Sequence, residues 1–276
     1  MTRRNAYLLP AALALALLAA GPAAAAIDHD QPLKSCLALA ERRPAEAMDS
    51  ARAWQERGGG DLARLCEALA LFHKGDFAAA GARLEELAPA LGRDDPKAAA
   101  SILGRAGWAW LRAGDHPRAE RLYSQALERQ PDDVDLRIDR AFARAEAERF
   151  WDALADLDAA IARDPGRADA YLYRAAAHKA LANDRQAAAD VDRTLELRPG
   201  DPEALLLRGN IKAQGGNLAG AREDWTLIRR LAPDSAVARS AGVNLERVAR
   251  MEAPAKGAPE AGRPPEPRPA PRADKP

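Results

Sequence analysis

The sequence predicts an all-α chain built as a solenoid of antiparallel helix pairs, because several columns of residues share one period. Prolines stand at 131, 165, 199 and 233, one every 34 residues. Arg140, Arg174 and Arg208 keep the same step, as do Asp156, Asp190 and Asp224. Ala119, Ala153, Ala187 and Ala221 form a column of small residues; Tyr123, Leu157, Val191 and Trp225 form a column of larger ones. Columns sharing a period of this length mark stacked helical hairpins, none of which can bury its apolar face alone.

Each unit reads as two amphipathic helices closed by a proline. In residues 168–199 the first-helix stripe is Tyr171, Arg174, Ala175 and His178, and the second-helix set is Ala187, Val191, Thr194 and Pro199. The next copy gives Leu205, Arg208, Gly209 and Lys212, then Ala221, Trp225, Ile228 and Pro233. The pattern resembles the tetratricopeptide repeat. That resemblance implies a right-handed α-solenoid whose first helices line a concave groove. It covers four repeats over residues 100–235 and leaves residues 27–99 as degenerate N-terminal hairpins. An arginine stands where the commonest form of the repeat has leucine. A buried guanidinium needs a partner, so Arg140, Arg174 and Arg208 are expected to meet the recurring aspartates, for example Arg174 with Asp190 or Asp156.

Taken in order, the chain begins with a leader. Arg3 and Arg4 precede an apolar run over residues 8–20, and Ala24, Ala25 and Ala26 suit a cleavage site, so residues 1–26 are expected to be a signal peptide. Cleavage leaves a soluble, periplasmic protein without stable membrane insertion; the alternative is a retained anchor. In the first hairpin, Pro44 opens the second helix, and Gly58, Gly59 and Gly60 end it. The second hairpin turns at Gly75-Asp76. Residues 92–96 form a loop in which Asp95 is placed to cap the next helix, with Pro96 in its first turn. Later hairpin turns are expected at Gly114-Asp115, Glu148-Arg149, Asn183-Asp184 and Gly216-Asn217, and further caps at Asp133, Asp201 and Ser235. Residues 236–251 read as a capping helix. Residues 252–276 are rich in proline and poor in large apolar residues, the composition of a disordered tail. Such a tail is either passive or a docking peptide or spacer.

Forty-one basic and forty-one acidic side chains balance, without the basic stripe that nucleic acid requires. The four histidines, 29, 73, 116 and 178, lack metal-ligand spacing, and no nucleophile elbow, zinc-protease motif or phosphate-binding glycine loop is present. Neither an enzyme nor a cofactor or metal site is expected. Asp156-x-Asp158 and Asp190-x-Asp192 recur at the repeat interval and read as structural. Cys36 and Cys66, 30 residues apart, fall in the first helices of consecutive hairpins. In an exported chain they are read as a structural disulfide; the alternative is two buried thiols.

What remains is surface. Gly107, Ala141, Ala175 and Gly209 let the second helix approach, and the next residues, Trp108, Phe142, Ala176 and Asn210, are rotated by about 100° from that contact. The candidate partner-binding groove comprises Arg105, Trp108, Arg112, Asp139, Phe142, Glu146, Tyr173, Lys179, Leu206 and Asn210. Trp108 and Phe142 are either its apolar anchors or packing between repeats. Arg105 and Arg112 make one end basic; Asp135, Asp139, Glu146, Asp169 and Glu203 make the remainder acidic. The groove lacks the paired Lys and Asn of chaperone-docking members of the family. The expected function is a non-enzymatic periplasmic scaffold for a protein or peptide partner. The alternative is an accessory protein organising an enzyme complex that handles peptidoglycan or exported polysaccharide.

Overall fold

Prolines, glycines and capping side chains divide the chain into short helices. The computed structural model describes residues 30–252. Residues 1–29, with the expected signal peptide, and residues 253–276, with the expected tail, lie outside the described residues. Among those described there are thirteen α-helices and no strand: α1 (Asp30–Arg42), α2 (Pro44–Glu56), α3 (Gly60–Lys74), α4 (Phe77–Leu91), α5 (Pro96–Arg112), α6 (His116–Arg129), α7 (Val134–Glu146), α8 (Phe150–Arg163), α9 (Ala168–Ala180), α10 (Asp184–Leu197), α11 (Pro202–Gln214), α12 (Leu218–Leu231) and α13 (Ala236–Glu252). Consecutive helices pack as antiparallel pairs, and each pair packs on the next. From α5 onward each first helix also touches the next first helix, and α13 continues that row beside α11. The architecture is an antiparallel helix-pair solenoid.

Capping chemistry starts many of the helices. Asp95 accepts from the backbone N–H of Lys97 and Ala98, Asp133 from Leu136, Asp201 from Glu203 and Ala204, and Ser235 from Ala238. Each bond satisfies an otherwise orphaned first-turn donor. The hairpin turns share a different device. Gly114, Glu148, Ala182 and Gly216, again 34 residues apart, all have positive φ, at 82°, 58°, 57° and 84°. In the third turn the left-handed residue is therefore Ala182, not Asn183 or Asp184.

Between the two helices of a pair, a small residue faces a large one. A methyl added at Gly107 would come within 3.0 Å of the Tyr123 ring, and one at Gly209 within 2.5 Å of Trp225 Nε1. Ala141 and Ala175 are fully buried in the same column, in the clusters that hold Leu157 and Val191. Such interfaces bring backbones close but bury little area each, so stability accumulates along the row.

The arginine column adds a directional tie. Arg174 donates from Nε and Nη2 to both oxygens of Asp190, at 2.8 and 2.6 Å, and from Nη1 to Asp158 in the preceding repeat at 2.7 Å. Arg140 grips Asp156 at 2.9 and 2.6 Å and reaches back to Ser124 at 3.1 Å. Arg208 grips Asp224 at 3.1 and 2.7 Å, with Asp192 behind it at 3.8 Å. The expected pairing within the hairpin is present. The backward partner of Arg174 is Asp158, not Asp156, which is already held by Arg140. Arg144 and Lys212 give Asp156 and Asp224 a second cation, at 2.7 and 2.8 Å. Cys36 and Cys66 form the disulfide between α1 and α3, with Cα atoms 6.0 Å apart. Closing a loop of this length removes roughly 3–4 kcal/mol of unfolded-state entropy.

Two outcomes test this account by urea denaturation at neutral pH. Asp190→Ala leaves Arg174 with only the exposed Asp158 as a partner and should cost about 2 kcal/mol, whereas Arg174→Met with Asp190→Leu should recover most of that loss. Ala182→Gly, which relieves a left-handed Cβ, should stabilise the chain by about 1 kcal/mol.

Candidate binding groove

The first helices present the column next to their small residues, and the candidate groove runs along it, with Tyr173 standing about one turn before the column position Ala176. Trp108 on α5, Phe142 on α7 and Tyr173 on α9 are each half-buried. Their ring centroids are 6.3 Å apart for Trp108–Phe142 and 5.4 Å for Phe142–Tyr173, so the rings form a ladder across three first helices. A cavity of about 560 Å³ opens at the Trp108 end, walled by Leu69 and Phe72 of α3, Arg105 of α5, and Leu136 and Asp139 of α7. A smaller cavity of about 180 Å³ opens at the other end, lined by Phe142, Glu146, Tyr173 and Ala176. The rings thus pack between repeats and also edge open cavities.

Charge is uneven along the ladder. Burial pushes the Asp139 carboxyl up to about 6, and Asp135, Asp133 and Asp169 add to the push against the opposing Arg167. Arg167 is itself committed to Asp135 at 2.6 Å and Asp169 at 2.7 Å. The Tyr173 hydroxyl is held above its ordinary value, first by burial and then by Glu203, Asp169 and Asp139, with Arg198 opposing. Burial, then Asp139, does the same to Tyr123, whose hydroxyl has no hydrogen-bond partner among the described residues. The middle of the groove is therefore short of cations.

No protein-family model matches the sequence, and no curated protein matches it. Solved structures do. The chain is similar to TTC0263, a thermophilic tetratricopeptide-repeat protein of Thermus thermophilus, with a TM-score of 0.56 and 18% identity over 68% of this chain and 100% of that one. It is also similar to MamA of Desulfovibrio magneticus, with a TM-score of 0.53 and 19% identity over 67% of this chain and 97% of that one. The chain has the tetratricopeptide-repeat fold.

Within this tetratricopeptide array the expected groove residues separate into two groups. Arg105, Trp108 and Asp139 line the larger cavity, and Phe142, Glu146 and Tyr173 the smaller. Four others line neither cavity. Arg112 stacks over the Phe77 ring at 4.5 Å, where α5 ends beside the start of α4. Lys179 is tied to Asp184 at 3.2 Å and to Gln214. Leu206 packs on the C-terminal cluster that holds Trp225. Asn210 accepts from Asn244 Nδ2 at 2.9 Å, one period further on in α13. The larger cavity also uses Phe72, His73 and Lys97, which the repeat columns do not single out. Phe72 precedes Trp108 by 36 residues instead of 34, because the loop after α4 shifts the register. The apolar stripe Leu65, Ala68, Leu69 and Phe72 on α3 nevertheless marks that face in the sequence.

Asp139 supplies a pH test. Its folded-state pKa lies above the ordinary 3.8, so its ionisation opposes folding. The penalty is absent below about pH 4, grows as pH rises to about 6 and is complete above that. Asp139→Asn should raise the urea midpoint at about pH 7.5 and leave it nearly unchanged at about pH 4. An equal shift at both values would remove the ionisation account.

Proposed function

We propose that this chain is a non-enzymatic scaffold that binds a protein or peptide segment in the groove along its first helices. The observation that carries this reading is the Trp108–Phe142–Tyr173 ladder, three half-buried rings with an open cavity at each end. Partly exposed aromatics at the edge of a cavity are characteristic interface anchors, since each offers a large rigid surface at small entropic cost. Asp139 and Glu203 favour a basic group over the groove, and in the larger cavity Asp133, Asp135 and Asp139 outweigh Lys97 and Arg105. Such complementarity sets orientation and on-rate, while the rings supply affinity.

The reading includes a periplasmic location. Residues 1–26 have the composition of a signal peptide, and a Cys36–Cys66 disulfide suits an oxidising compartment.

Crosslinking pull-down of the mature chain identifies the partner. Trp108→Ala with Phe142→Ala, after circular dichroism shows retained helicity, should then weaken binding by about 2 kcal/mol, roughly thirtyfold. Unchanged affinity in the folded double variant would exclude the ladder as the site. Recovery of peptidoglycan or polysaccharide synthases would instead favour the accessory role in an envelope-polymer complex.

A further inference from the structure

The groove has a complementary segment within its own chain. Residues 253–276 follow α13 directly and contain eight prolines. They carry Lys256, Arg263, Arg268, Arg272 and Lys275 against Glu260, Glu266 and Asp274, an excess of positive charge, and no aromatic residue. We propose that residues 253–276 dock in the first-helix groove, with prolines on the Trp108–Phe142–Tyr173 ladder and arginines against Asp139 and Glu203, so that the tail competes with any partner for this site. The proposal rests on the groove being the binding surface.

Chemistry, charge and reach each support it. Aromatic-lined grooves take proline-rich segments because the extended polyproline conformation loses little entropy on binding and its rings lie flat on aromatic faces. The ladder supplies three such rings in a row. Glu203, Asp169 and Asp139 add negative potential at the Tyr173 end against Arg198, which is itself paired with Asp201 at 3.5 Å. Arg167 is taken up by Asp135 and Asp169. Asp139 and Glu203 make no ion pair among the described residues, which leaves two acceptors for guanidinium groups.

The geometry allows the tail to arrive. It leaves α13 at Glu252, and the Asn244–Asn210 bond places α13 alongside α11 in the row of first helices. From Glu252 back to the level of Asn244 is about 12 Å at 1.5 Å per helical residue. Neighbouring helix axes lie about 10 Å apart, so α7 is about 30 Å across the row and α5 about 40 Å. A proline-rich segment of this length spans about 74 Å when extended, at about 3.1 Å per residue. Tethering of this kind gives an effective concentration in the millimolar range, at which even a weak contact is populated.

The test uses the full chain and a fluorescein-labelled peptide of residues 253–276. In one variant Arg263, Arg268 and Arg272 are each replaced by Glu, which should release the tethered tail from an acidic groove. That variant should bind the peptide at least tenfold more tightly than the unaltered chain. Adding Trp108→Ala and Phe142→Ala to it should abolish the gain. Adding Glu203→Gln, an exposed change that leaves the helices intact, should weaken binding severalfold. No peptide binding to the Arg→Glu variant, or equal binding to both chains, would overturn the proposal. A concentration-dependent dimer that the Arg→Glu changes abolish would overturn docking within one chain in favour of docking between copies. If the peptide fails while partner binding still depends on Trp108 and Phe142, the tail proposal falls alone. If neither depends on the ladder, the groove reading falls as well.

Discussion

Each arginine in the column at 140, 174 and 208 holds two second helices at once, and the register of the array depends on that grip. The surrounding interfaces are rich in alanine. Apolar contact between small residues is non-directional, and sliding one helix past another changes the buried area little. A guanidinium fork on a carboxylate has one good geometry. Partners lie sixteen residues ahead, in the same hairpin, and sixteen behind, in the preceding one. Each tie therefore sets both the packing of its own pair and the seating of that pair on its neighbour. Its contribution is specificity of register more than net stability, because desolvating the ions offsets much of their attraction. The first repeat illustrates the exchange: Ala106 and Leu122 occupy the equivalent positions, both fully buried, and an apolar pair fills the place of the ionic one.

Fixing the register aligns the groove. The ladder requires that Trp108, Phe142 and Tyr173 sit at related heights on successive first helices, which follows only if the repeats stack without slipping. The ties also shape the field. They neutralise the buried aspartates at 156, 190 and 224 internally, so the potential over the groove comes from the acids left outside that system, chiefly Asp139 and Glu203. An array with balanced formal charge can in this way present a local acidic floor.

Much of this is legible in the sequence, for a physical reason. Helix pairs, caps at Asp95, Asp133, Asp201 and Ser235, and the pairing of Arg174 with Asp190 all follow from spacing, which a repeat imposes identically on every copy. The rest is what spacing does not encode. Local propensity favours Asn183 for the turn, yet the period places the left-handed conformation on Ala182, where tertiary packing overrides preference. The register shift after α4 takes Phe72 out of the repeat columns, so that only the stripe of its own helix marks it. Nearness to the column groups Arg112 and Leu206 with the groove, but it does not foretell that Arg112 stacks on Phe77 or that Leu206 packs on the cluster of Trp225. A column specifies a direction from the helix axis; it does not specify what the side chain finds there.

The groove column changes character along the array, and this bears on how binding and stability are linked. Trp108 and Phe142 give way to Ala176, then to Asn210, which is bonded to Asn244. Apolar surface is concentrated toward the N-terminal side, against the cluster that includes Tyr123 and Leu136. There each ring has one side packed in the core and the other facing a cavity. A ligand seated on the exposed side adds contacts to side chains that already tie one repeat to the next. In a quasi-one-dimensional array, strengthening one interface raises the cooperativity of its neighbours. Occupancy of the groove should therefore resist local opening of α5, α7 and α9 more than it resists fraying of α13. The same coupling limits how far the rings could be enlarged or removed for binding alone, since the core side of each is shared.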